Sequence, residues 1–128
     1  FNHYAYGAIG EWMYSNLMGL KINNNFPGFK RYTIRPLFDK NFENIDGSFN
    51  SNYGKIAISW SRKKGDLKLF LNVPANTKAD VILEKNHPGY WVLNDKKLNA
   101  KLIGDQASEE KTNLVLGSGK YHFSFVKK

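Results

Sequence analysis

The chain has 128 residues, enough for one domain of ordinary size (~100–150 residues) and too few for two complete cores. Hydrophobic residues at 41% and aromatics at 15% rule out wholesale disorder, and the absence of cysteine removes disulfide frameworks, thiolate zinc sites and cysteine nucleophiles together. The net charge of +8 raises a nucleic-acid partner, but the 19 basic residues are scattered, and the Arg62-Lys63-Lys64 cluster directly precedes a Gly65-Asp66 turn, the place of a solvated tip.

In chain order, residues 1 to about Ile22 read as a helix. Ala5, Ala8, Ile9, Trp12, Met13 and Leu20 recur at three-and-four spacing, and Asn2 is placed to cap the first turn. Tyr4, Tyr6, Tyr14 and Leu17 widen the apolar surface beyond one face, which suits a helix held between two partners, one of them outside this chain. The chain starts at Phe1 and enters this pattern at once, as a cut inside a longer protein would. The polar run Asn23-Asn24-Asn25 and a Pro27-Gly28 turn end the segment.

From Phe29 onward the pattern is short strands. Tyr32 and Ile34, then Ile56, Ile58 and Trp60, then Leu67, Leu69, Leu71 and Val73 alternate with polar neighbours, each run giving a buried face and a wetter one; Phe70 falls on the wetter side. Further strands are predicted at 42–49, 79–83, 90–93, 98–103, 112–116 and 120–126, separated by turn residues such as Pro74-Ala75-Asn76, His87-Pro88-Gly89 and Gly117-Ser118-Gly119. About eight or nine strands at near-regular spacing predict an antiparallel β-sandwich over residues 29–128, preceded by the helical segment and linker, residues 1–28. No apolar run approaches the ~20 residues that span a bilayer, so no membrane partner is expected.

No catalytic constellation is complete. His3, His87 and His122 fall in three different elements without an accompanying nucleophile elbow, so neither a triad nor a metal site is expected. His87 in its turn and His122 on the outer face of the last strand read as surface residues. His3, in the first turn of a helix bearing Gly7 and Gly10, is placed to rim a cavity. Glu11 has no second acid near it, and Asp39, Glu43 and Asp46 read as solvated charges, so the paired carboxylates of a glycosidase are not found here. Trp60 falls on the inward side, while Tyr90-Trp91 is the adjacent aromatic pair able to present a ring outward.

The string Phe1-Asn2-His3-Tyr4-Ala5 through Gly10-Glu11-Trp12, the Pro27-Gly28-Phe29 turn, and the strand Tyr32-Thr33-Ile34-Arg35-Pro36 resemble the end of bacterial α-L-rhamnosidases of glycoside hydrolase family seventy-eight. Ser51-Asn52-Tyr53-Gly54-Lys55, Val73-Pro74-Ala75-Asn76-Thr77 and Gly117-Ser118-Gly119-Lys120-Tyr121-His122 extend the resemblance through most of the chain; 44–49 and 90–112 match less well. The resemblance implies that the helix is the last of a six-hairpin helical-barrel catalytic domain, with the β-sandwich packed on it as an accessory domain. It implies an inverting hydrolysis of terminal α-L-rhamnose from glycosides or polysaccharides, with both catalytic carboxylates upstream of Phe1, no cofactor, and no catalytic residue in this chain. His3 is then the sugar-binding residue, and the chain alone is inactive. The alternative is that the sandwich is itself a carbohydrate-binding module. The cell compartment is left open.

Overall fold

The computed structural model describes residues 18–22, 30–85, 87–97 and 111–127. Within them lie ten strands: β1 (Leu20–Ile22), β2 (Arg31–Ile34), β3 (Asn44–Ser51), β4 (Gly54–Lys63), β5 (Asp66–Val73), β6 (Lys78–Glu84), β7 (Gly89–Leu93), β8 (Lys96–Lys97), β9 (Lys111–Leu116) and β10 (Gly119–Lys127). They form a four-stranded sheet in the order β1-β2-β6-β9 and a six-stranded sheet in the order β3-β4-β5-β10-β7-β8. The mainly β, antiparallel sandwich predicted from the alternation is therefore observed. One pair departs from it: β2 and β6 run parallel, Thr33 opposite Asp80. The chain leaves the small sheet after β2, builds β3 to β5 in the large one, and returns, and such a crossover can restore the original strand direction where a hairpin cannot.

The turns follow the expected chemistry. Lys64 and Gly65 both have positive φ, 51° and 86°, and join β4 to β5 with Lys63 opposite Asp66, as the two-residue turn matched to strand twist requires. Asn94 and Asp95, at 47° and 67°, do the same between β7 and β8. The strand predicted at 98–103 lies outside the described residues; β8 ends just before it.

The helical reading is corrected at its end. Met18 is helical, but Leu20–Ile22 is a strand paired antiparallel to β2, so the small sheet begins at Leu20 and not after residue 28. Leu20, Lys21 and Ile22 satisfy a helical spacing on one side and a strand alternation on the other, and three residues cannot decide between periods. Gly19, at φ +67°, makes the left-handed break between them. The helix expected before Met18 lies outside the described residues.

Alternation builds the core. Ile56, Ile58 and Trp60 of β4, Leu69, Leu71 and Val73 of β5, and Phe123 of β10 face Tyr32 and Ile34 of β2 and Ala79, Val81 and Leu83 of β6 in one cluster drawn from both sheets. Trp60 is inward, as predicted. Of the Tyr90-Trp91 pair, Trp91 is buried and Tyr90 half-buried, because neighbours along a strand take opposite faces and only one can point out.

A buried polar chain ties the return crossover to the core. Thr77 Oγ1 donates to the Pro74 carbonyl at 2.8 Å, leaving its lone pairs to accept from the Tyr32 hydroxyl at 3.2 Å. Tyr32→Phe removes only the outer donor, whereas Thr77→Val strands both the Tyr32 hydroxyl and the Pro74 carbonyl; urea titration is expected to show about 1 kcal/mol lost for the first and about 1–3 for the second. Burial also raises the Tyr32 pKa above its ordinary value of 10.0. The unfolded chain then ionises first, so the Tyr32 contribution is full below pH ~10 and is lost as pH rises through the folded value, a slope that Tyr32→Phe is expected to reduce.

Candidate functional site

Of the residues singled out from the sequence, His3 and Glu11 lie outside the described residues. His87 is exposed in its turn, and His122 is exposed on the outer face of β10, as expected. Asp39 accepts from the Asn41 amide at 2.8 Å and shapes the loop into β3, a structural use. Among the described residues no group of three or more His, Asp or Glu side chains comes together in a way that could hold a metal ion.

The outer face of the four-stranded sheet is organised by ion pairs. Arg31 donates from both Nε and Nη2, each at 2.9 Å, to the two Asp80 oxygens, a bidentate fork across the parallel β2–β6 pair, and these hydrogen bonds to Asp80 raise the Arg31 pKa. Arg35 pairs with Glu84 four residues further along both segments. Leu37 and Val115 stand exposed near these pairs, at 47% and 59%.

The outer face of the six-stranded sheet is different. Its register aligns Asp46 of β3, Ser59 of β4, Phe70 of β5 and His122 of β10 in one cross-strand row. A second row carries Asn44, Ser61, Lys68 and Ser124 beside it. Ser59 Oγ donates to Asp46 Oδ1 at 2.5 Å, fixing that carboxylate, and the Phe70 and His122 rings meet at 4.9 Å between centroids with 45° between planes. The Asn94 side chain accepts from the His122 amide at 2.8 Å and holds β10 at this point. Between the rows lies a shallow depression of about 480 Å³. Sequence reasoning missed this juxtaposition, since the four residues of the first row are spread over 77 positions and only sheet register joins them. The signal available was Phe70, an aromatic on the wetter side of an otherwise clean alternation.

The sequence from residue 19 to 97 matches the family model described as the bacterial alpha-L-rhamnosidase C-terminal domain. The chain belongs to that family. The match begins at Gly19, at the break before β1. An alpha-L-rhamnosidase of Formosa agariphila is 35% identical over 124 residues, 95% of this chain and 13% of that protein. One from Streptomyces avermitilis is 36% identical over 88 residues, 69% of this chain and 8% of the relative. Among solved structures, a Streptomyces avermitilis alpha-L-rhamnosidase complexed with L-rhamnose aligns with a TM-score of 0.73 at 30% identity, over 98% of this chain and 11% of that one. The alpha-L-rhamnosidase from Dictyoglumus thermophilum aligns with a TM-score of 0.80 at 20% identity, over 95% of this chain and 14% of the other, a likeness of fold. The chain thus spans about a tenth of the length of these alpha-L-rhamnosidases and corresponds to their C-terminal domain.

Proposed function

We propose that the chain is the C-terminal part of an inverting alpha-L-rhamnosidase that removes terminal α-L-rhamnose from glycosides or polysaccharides. The observation that carries this reading is the match of residues 19–97 to the C-terminal domain family, in a chain covering only 8–14% of full-length relatives and structures bearing that name. On this reading the residues before Gly19 form the last helix of a helical-barrel catalytic domain, the sandwich packs on that barrel as a structural accessory domain, and the boundary between the two falls at Gly19. The chain enters the sandwich at β1, an edge strand of the small sheet, so the barrel approaches from that side.

Inversion needs one carboxylic acid to protonate the departing glycosidic oxygen and one carboxylate, about 6.5–9.5 Å away, to take a proton from the water attacking the opposite face. Both are assigned to the barrel upstream of Phe1. Ser59 already occupies Asp46 on an open sheet face, and Glu84 is paired with Arg35, so neither suits that work. The chain alone is therefore expected to release nitrophenol from a nitrophenyl α-L-rhamnoside no faster than buffer; enzyme-like turnover by the isolated chain would overturn the reading.

His3 is assigned to the sugar pocket of the parent enzyme as a hydrogen-bonding group. His3→Ala in the full-length enzyme is expected to raise KM more than it lowers kcat, with kcat/KM down about 5–150-fold, the equivalent of one lost hydrogen bond of about 1–3 kcal/mol. Unchanged kinetics would make His3 a structural residue.

A further inference from the structure

We propose that the outer face of the six-stranded sheet is a binding groove for a neutral saccharide, with one pyranose ring seated on Phe70 and His122 and its hydroxyls held by Asp46 and Lys68. A pyranose has an apolar face of C–H groups and a rim of hydroxyls that both donate and accept. The groove offers the counterpart of each. Phe70 points outward from β5, half-buried, with the exposed His122 ring against its side at 45°, so a phenyl face with an imidazole wall beside it stands in the middle of a polar face. Asp46, held by Ser59, accepts hydrogen bonds at one end of the row, and Lys68, in the adjacent row, donates. Serines at 59, 61 and 124 keep the floor low where β-branched or long side chains would stabilise the strands and fill the space.

The dimensions agree. Asp46 to His122 spans three inter-strand spacings, roughly 14 Å at the usual separation, long enough for a disaccharide. The depression of about 480 Å³ is of small-ligand size. Charge selects among occupants. A phosphate backbone or a sulfated glycan would meet the Asp46 carboxylate at one end of the groove, with Lys68 and Lys120 in the flanking rows as its cations, whereas a neutral glycan uses acceptor and donors of opposite sign equally well. The residues stand on strands, not loops, so the geometry is fixed before a ligand arrives.

The proposal stands on this face, and the family reading supplies only the first probe. Titration of the 128-residue chain with methyl α-L-rhamnopyranoside, and separately with methyl β-D-glucopyranoside, followed by amide chemical shifts, is expected to give saturable changes centred on Asp46, Ser59, Phe70 and His122, with dissociation constants on the order of millimolar for at least one sugar. Phe70→Thr, which keeps a good strand former at an outward position, is expected to weaken binding by about tenfold or more. Asp46→Asn provides a second variant if the first melts early, and is expected to weaken binding without moving the melting transition. Absence of shifts on this face with both sugars to about 100 mM, or equal affinity in a folded Phe70→Thr or Asp46→Asn chain, would overturn the groove while leaving hydrolysis by the parent enzyme intact. Failure of the full-length enzyme to hydrolyse rhamnosides would overturn the functional reading and leave the groove.

Discussion

Trp91→Ala is expected to destabilise the sandwich by about 3–5 kcal/mol, a large share of the roughly 5–15 kcal/mol that holds a domain of this size folded. Trp91 is 1% exposed and stands at a junction of three separate chain segments. Its ring meets Phe125 of β10 edge-on at 5.2 Å, Phe123 at 6.4 Å, and Phe38, from the crossing between β2 and β3, at 5.6 Å. Phe38 in turn packs edge-to-face on Trp60 at 5.5 Å, and Arg62 donates to the Phe38 carbonyl at 2.7 Å. Removing the indole would leave a cavity bounded by Phe38, which Trp60 holds from the other side, and by the buried Phe123, so collapse to fill it is resisted, and the cost falls at the upper end of core truncations. The indole N–H of Trp91 has no hydrogen-bond partner among the described residues. Trp91→Phe therefore loses volume but no hydrogen bond to the described residues, and is expected to cost less than half as much as Trp91→Ala. Guanidinium unfolding followed by circular dichroism measures both: a lower midpoint at unchanged slope is the expected result, and a loss below about 1 kcal/mol for alanine would mean that the cluster repacks.

How legible this was in the sequence depends on the range of the interaction. The inward positions of β4, β5 and β6 follow from period-two alternation, because a one-residue slip would expose every apolar side chain of a strand at once, and Ile56, Ile58, Trp60, Leu69, Leu71 and Val73 are all buried where the pattern puts them. The Lys64-Gly65 turn was equally local. Phe38 was not legible as core: it sits in an irregular crossing after Pro36, where no periodicity exists, and only the meeting of the two sheets buries it. The parallel β2–β6 pair and the row from Asp46 to His122 were hidden for the same reason, since partner choice between strands is a property of the assembled sheets. The family resemblance read from Gly117-Ser118-Gly119-Lys120-Tyr121 has a physical counterpart: Gly119, at φ +149°, opens β10, and the Tyr121 hydroxyl donates back to the Gly117 carbonyl at 2.8 Å, closing that turn.

At Gly19 local conformation and long-range contact coincide. It adopts φ +67°, a left-handed conformation that costs a residue with a Cβ about 1–3 kcal/mol, and a Cβ built there would fall 1.7 Å from the Arg35 carbonyl oxygen. That neighbour is backbone and cannot swing aside. It is also anchored, because the Arg35 amide donates to the Gly19 carbonyl at 3.0 Å and continues the β1–β2 ladder in which Leu20 faces Ile34. Gly19→Ala is therefore expected to part β1 from β2, while β2 keeps its place through its second partner, β6. The expected signature is uneven: amides of Leu20 to Ile22 exchange at least about tenfold faster with deuterium, while those of β4, β5 and β10 keep their protection. A protected β1 in a folded Gly19→Ala chain would show that the Arg35 carbonyl can retreat. Uniform loss of protection would show that β1 is integral to the whole sandwich. On the proposed reading Gly19 also joins barrel to sandwich, so the same substitution in the full-length enzyme is expected to free the accessory domain at its point of attachment, seen as faster proteolysis between residues 19 and 30 and release of a folded fragment that keeps β2 to β10.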